Sequence, residues 1–110
     1  MNAACPEASA ANRYEEEARD SRDVGDDISV YGPLFKVAAK IYYFCAKRTS
    51  NVEAHDWYRY YYASDLWLSS NDREIELIVR AAANELAADT QFSHVRAAAL
   101  KLRDRIPPPP

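Results

Sequence analysis

Large apolar side chains are sparse over residues 1–30 and then recur every three or four positions to residue 106. Leu34, Val37, Ala38, Ile41 and Cys45 form the first such stripe. Pro33, suited to the first turn of a helix because its missing N–H has no helical acceptor there, marks where that stripe begins. The spacing predicts a first helix over 33–48. Ser50 followed by Glu53 has the form of a capping box and opens a second helix over 51–68. Asn71 with Glu74 repeats the signal, and Ile75, Ile78, Val79, Ala82 and Leu86 predict a third helix over 72–88. Asp89 or Thr90 caps a fourth over 91–106, with Phe92, Val95, Ala99, Leu102 and Ile106 as its stripe. Four consecutive prolines end it.

These segments, joined by two to four residues, predict an all-α fold: a compact four-helix bundle, or a three-helix core with one splayed helix. The expected core is Leu34, Val37, Ile41, Trp57, Tyr61, Ile75, Ile78, Val79, Leu86, Phe92, Val95 and Leu102. Alanine triplets at 81–83 and 97–99 favour helix and allow close helix approach. With only two glycines in 110 residues, a fold of many hairpins is disfavoured. The organisation read from the chain is an arm over 1–30, a helical domain over 31–106 and a proline tail over 107–110.

Charge sharpens the division. Residues 1–30 carry eight acids against three arginines, net −5, while the remainder carries eleven bases against nine acids, net +2. Too apolar-poor to repay its own ordering, the arm reads as flexible, with Ile28–Tyr31 as a tether and residues 11–23 able to turn helical on a partner. Cys5 and Cys45, one in the arm and one in an apolar stripe, do not suggest a disulfide framework. A reducing, cytoplasmic setting follows as the expectation. No apolar run approaches a membrane span, and the first residues lack a basic signal-peptide segment.

The segment 51–68 is unusual, holding Trp57, Tyr58, Tyr60, Tyr61, Tyr62 and Trp67 within eleven residues. Its apolar and aromatic arc covers about 260°, where a surface helix needs a stripe only somewhat wider than ~100°. Either this helix is central or part of it meets a partner. Asp65 falls inside the arc near Tyr58, Tyr61 and Tyr62, so a buried carboxylate accepting from tyrosine hydroxyls is expected. No spacing supplies a second titratable group beside it, so no catalytic residue is assigned. His55 and His94 stand alone, no metal-binding spacing occurs, and no nucleophile elbow or phosphate loop is present. No metal and no cofactor is therefore expected.

Two functional readings remain. The preferred one is a non-catalytic protein-binding module, an adaptor, accessory factor or inhibitor of a larger machine, whose partner offers a basic or nucleic-acid-binding surface; homodimerisation is the other assembly considered. Its contact residues would be the aromatics Tyr58, Tyr60, Tyr62 and Trp67 and the arm acids Glu15, Glu16, Glu17 and Asp20. Lys36, Lys40, Tyr43 and Lys47 on one helix, and His94, Lys101 and Arg105 on another, read as solvated faces. The alternative is a DNA-binding regulator. Residues 86–96, with Leu86-Ala87 before a turn and Ser93-His94-Val95-Arg96 after it, resemble the helix-turn-helix of bacterial repressors without its turn glycine. That resemblance implies nucleic-acid contacts from Arg96, Lys101, Arg103 and Arg105.

Overall fold

The segment expected to be a flexible arm is a helix. The computed structural model describes residues 5–110, and in it Ala8–Asp23 form α1. Ala11, Glu15 and Ala18, at helical spacing, are its buried positions. Alanine presents little apolar area, which is why the segment looked too polar to fold. It also lets α1 lie close to its neighbour, where small contacts suffice. A disulfide between Cys5 and Cys45 ties the start of this helix to the next, which corrects the expectation of unpaired thiols. The reducing, cytoplasmic setting loses the support that unpaired thiols lent it, since disulfides persist mainly in oxidising compartments. Residues 1–4 of the expected arm lie outside the described residues.

Gly25, at φ 90°, closes α1 in the left-handed conformation that costs glycine little. Its N–H bonds the carbonyl of Arg22, and the Asp26 N–H reaches back to that of Ser21, the paired bonds of a Schellman cap. Asp27 then accepts from the Ser29 amide at 3.0 Å and starts α2, Ile28–Arg48. The expected tether is thus the first turn of α2, and Pro33 sits inside the helix rather than at its head. Three further helices follow: α3 Val52–Leu68, α4 Arg73–Asp89 and α5 Ser93–Arg105. Asn51 caps α3 through the Ala54 amide and Asp72 caps α4 through the Glu74 amide, each one residue beyond the predicted cap. Phe92 occupies the N-cap of α5, and Thr90 instead braces the turn by accepting from the Phe92 amide.

The described residues therefore form five helices and no strand, not four helices with an arm. Each helix packs on its neighbour in sequence, and α3 also touches α5. The resulting body measures 41 × 37 × 18 Å, flat because the helices spread sideways instead of closing a bundle. One core cluster joins Ala63 of α3 to Val79 and Ala83 of α4 and to Leu102 and Ile106. A second joins Leu86 and Ala87 to Val95 and Ala99. The third seats Ala11 of α1 on Ala38 and Tyr42 of α2.

Of the expected core, Val79, Leu86, Val95 and Leu102 are fully buried. Val37, Tyr61 and Ile78 are exposed, Ile78 by 56%. On α2 the buried face is Phe35, Ala38, Ala39, Tyr42 and Cys45, turned from the predicted stripe because α1 and α3 flank the helix on two sides. Gly32 is required where α2 crosses the end of α3: a Cβ there would stand 2.5 Å from the Ser69 carbonyl oxygen.

Candidate functional site

The wide aromatic arc belongs to the helix in the middle of the array. One side of α3 carries Trp57, Tyr60, Ala63 and Trp67 into the clusters with α4 and α5. Tyr60 stands edge-on to Trp57 at 5.8 Å. The Trp67 indole donates to Glu76 at 3.1 Å and carries the Arg105 guanidinium 4.7 Å over its ring. Tyr60 and Trp67, both half-buried, thus make contacts within the molecule, and Tyr60 also borders the cleft at α1. The other two sides of α3 face a groove and a cleft.

The groove lies over the side of α3 between α2 and α4. Tyr43, Ala46 and Lys47 of α2, His55, Arg59 and Tyr62 of α3, and Ala82, Glu85 and Asp89 of α4 line about 500 Å³. Each set follows helical spacing, so each helix contributes one continuous strip. The α2 and α4 strips run parallel, because each is antiparallel to α3. Tyr43, 48% exposed, leans on Tyr62 at 5.2 Å between ring centroids and holds the Lys47 ammonium 4.5 Å above its own ring. Across the groove Arg59 sits between Asp89 at 3.4 Å and Glu85 at 3.8 Å, so one guanidinium faces two carboxylates. The α2 wall is therefore basic and the α4 wall acidic. Lys36 and Leu66 line a further recess of about 480 Å³ towards the other end of α2, and exposed Ile78 falls on the α4 strip one turn before Ala82. Of the aromatics expected to bind a partner, Tyr62 lines the groove, and Tyr43 joins it although it was read as part of a solvated face.

The cleft lies where α1, α2 and α3 meet, with a volume of about 380 Å³. Asn12, Glu15 and Arg19 reach it from α1, Tyr42 from α2, and Tyr58, Tyr61 and Asp65 from α3. Asp65 is 2% exposed and Glu15 8%. Their carboxyl groups face each other in the cleft, and two buried carboxyls this close favour holding a proton over carrying two charges. Burial first, then this contact and the Glu15 charge, push the Asp65 carboxyl up to about 9, against a smaller opposing pull from Arg19. Asp65 Oδ2 is enclosed and meets no donor among the described residues. The Tyr42 hydroxyl lies 2.8 Å from Asn12 Oδ1 and 3.1 Å from Glu15 Oε1, and its single hydrogen cannot serve both fully. Burial and the Glu15 charge raise the Tyr42 hydroxyl far above its usual range, and burial likewise raises that of Tyr61.

Asp65 is thus enclosed beside tyrosines as the sequence suggests, but its second carboxyl comes from Glu15, fifty positions away in the segment read as flexible. Glu16, Glu17 and Asp20, expected with Glu15 to meet a partner, point outward from α1. Tyr58 packs beside the Ala11, Ala38 and Tyr42 cluster. Among the described residues no group of three or more His, Cys, Asp and Glu side chains converges on a metal position.

The basic residues of the nucleic-acid reading are mostly engaged inside the molecule. Arg96 donates to the carbonyls of Ala87 and Thr90, closing the end of α4. Arg103 donates to Asp104 and Asn84, and Arg105 covers Trp67. Lys101 is exposed on α5.

Comparison of the chain with known protein families, with curated proteins and with solved structures finds no match to any of them. No helix of the described residues is long and apolar enough to cross a membrane.

Proposed function

We propose that this protein is a small, non-catalytic protein-binding module, an accessory factor or inhibitor, whose groove between α2 and α4 seats an amphipathic helix of its partner. The observation that carries this reading is the groove itself, with Tyr43, Tyr62 and Ala82 set between a basic wall and an acidic one. Helix-in-groove recognition needs an apolar floor between two helical walls, and α3 at 17 residues supplies a floor about 25 Å long. Charge fixes the orientation of the occupant. Its acidic edge faces Lys47, and its basic edge faces Glu85 and Asp89. Glu16, Glu17 and Asp20 on α1 extend the acidic attraction beyond the groove and act on association rate more than on affinity. The nucleic-acid reading is less favoured, because Arg96, Arg103 and Arg105 already hold internal partners.

Capture of the partner by the disulfide-bonded chain, followed by mapping of the contacting segment, tests this. The segment, synthesised as a peptide, is expected to turn helical on binding and to carry acidic and basic edges on opposite sides. Tyr43→Glu and Ala82→Glu are expected to weaken it at least ~tenfold, since each puts a charge on an apolar position lining the groove. Tyr14→Glu on α1 leaves affinity unchanged. Equal binding by both groove variants overturns the proposal, as does a dimer of this chain that occupies the groove and dissociates on Lys47→Glu.

A further inference from the structure

The cleft at α1 is built unlike a packing defect. Its floor holds two buried carboxyl groups, one enclosed oxygen of Asp65 meets no protein donor, and the single hydroxyl hydrogen of Tyr42 is shared between two acceptors. The charged groups lining the cleft with Asp65 are Glu15 and Arg19 from α1, with the hydroxyls of Tyr42 from α2 and of Tyr58, Tyr60, Tyr61 and Ser64 from its own helix. Two carboxyls against one guanidinium leave one negative charge to be balanced, and in the empty cleft a proton balances it. The walls are tyrosine rings, whose faces attract cations. Tyr61 is 37% exposed, so its ring is open to a ligand while backed by Trp57, stacked at 5.8 Å.

We propose that this cleft is a binding site for a primary alkylammonium ion, whose N–H groups bond Asp65 and Glu15 while its carbon chain lies against Tyr61 and Tyr58. The ammonium takes the place of the shared proton. Binding therefore converts Asp65 to its carboxylate and releases that proton to solvent, leaving two carboxylates balanced by Arg19 and the ligand. An N–H donor is selected over a fully methylated ammonium because the enclosed Asp65 oxygen requires a donor. The site is separate from the groove, so it stands or falls independently of the protein-binding reading.

The test is calorimetric titration of the full, disulfide-bonded chain near neutral pH, in two buffers of different ionisation enthalpy. The ligands are n-butylammonium, tetramethylammonium, n-butanol and Nα-acetyl-lysine amide. n-Butylammonium is expected to saturate one site with a Kd on the order of 1 mM or tighter. Buffer-dependent heat should report release of about one proton per ion bound. Tetramethylammonium binds at least ~tenfold more weakly and n-butanol gives no saturable heat. Nα-acetyl-lysine amide separates the sources: affinity equal to that of n-butylammonium assigns the site to a lysine side chain, and weaker binding assigns it to a free alkylamine. Asp65→Asn removes binding and proton release with the helical circular dichroism retained, and Glu15→Gln does the same from α1. No saturable heat for n-butylammonium, equal affinity for tetramethylammonium, or undiminished binding by Asp65→Asn would each overturn the assignment.

Discussion

Replacing Asp65 by asparagine should make the protein more stable, by an amount that depends on pH. In the unfolded chain this carboxyl ionises near 3.8; in the fold, burial beside Glu15 raises it to about 9. The folded state holds the proton more tightly than the unfolded chain, so stability falls as pH rises between those values and is flat on either side. Each pH unit inside that window removes about 1.4 kcal/mol for a group fully bound by this linkage. Because the proton is shared with Glu15 and the interior relaxes, the penalty at neutrality is on the order of 2–4 kcal/mol. Asparagine keeps the shape, supplies a fixed N–H towards Glu15 and has no proton to lose. Urea unfolding of both proteins at a series of pH values measures the difference. The Asp65→Asn midpoint is expected to lie roughly 1–3 M above wild type near neutrality. That gap should widen towards pH 9 and close near the ordinary carboxylate range. A variant less stable than wild type at neutrality, or a gap independent of pH, would show that Asp65 is ionised in the fold and refute the shared proton.

Reduction of the Cys5–Cys45 bridge, or Cys5→Ser with Cys45→Ser, opens a 40-residue loop and should cost about 4 kcal/mol by chain entropy, read as a lower thermal midpoint with dithiothreitol than without. Gly32→Ala should cost roughly 1–3 kcal/mol, because its Cβ would press on the Ser69 carbonyl and separate α2 from the end of α3; chemical denaturation reads this directly. Ile78→Asp should change stability by under ~1 kcal/mol, while Val79→Asp next to it should cost several, since only the second side chain is buried. Comparable losses from both would mean that the α4 face is turned otherwise than described.

Periodicity found four of the five helices and failed where other forces decide. The predicted ends of α3 and α4 lie within one residue of the observed ones, because Asn51 and Asp72 cap locally. The first helix was invisible to a reading of large apolar residues, since Ala11, Ala18 and a cross-link hold it. That miss propagated. With residues 1–30 taken as an arm, Glu15 became a surface charge and Asp65 a lone carboxylate, so the cleft they share could not be assembled. On α2 and α4 the period was right but the face was turned: Val37 and Ile78 look outward and Phe35, outside the predicted stripe, looks inward, while Val79 and Leu86 are buried as expected. Which neighbours flank a helix is a tertiary fact, and a helix touched on two sides buries an arc that one stripe does not describe. The aromatic richness of α3 was legible, and its explanation is that one side packs into the clusters with α4 and α5 while the other two line the cleft and the groove.

The groove is most directly tested by placing a photo-activated crosslinking residue at Tyr43, Ile78 or Tyr14 in turn and identifying the crosslinked peptides. Positions 43 and 78 should label the same partner helix from its opposite edges, with the acidic edge nearer 43 and the basic edge nearer 78, while position 14 should not label it. Labelling of that partner from position 14 alone, or an unchanged labelling pattern when Lys47→Glu and Glu85→Lys exchange the charges of the walls, would contradict the groove as the binding surface.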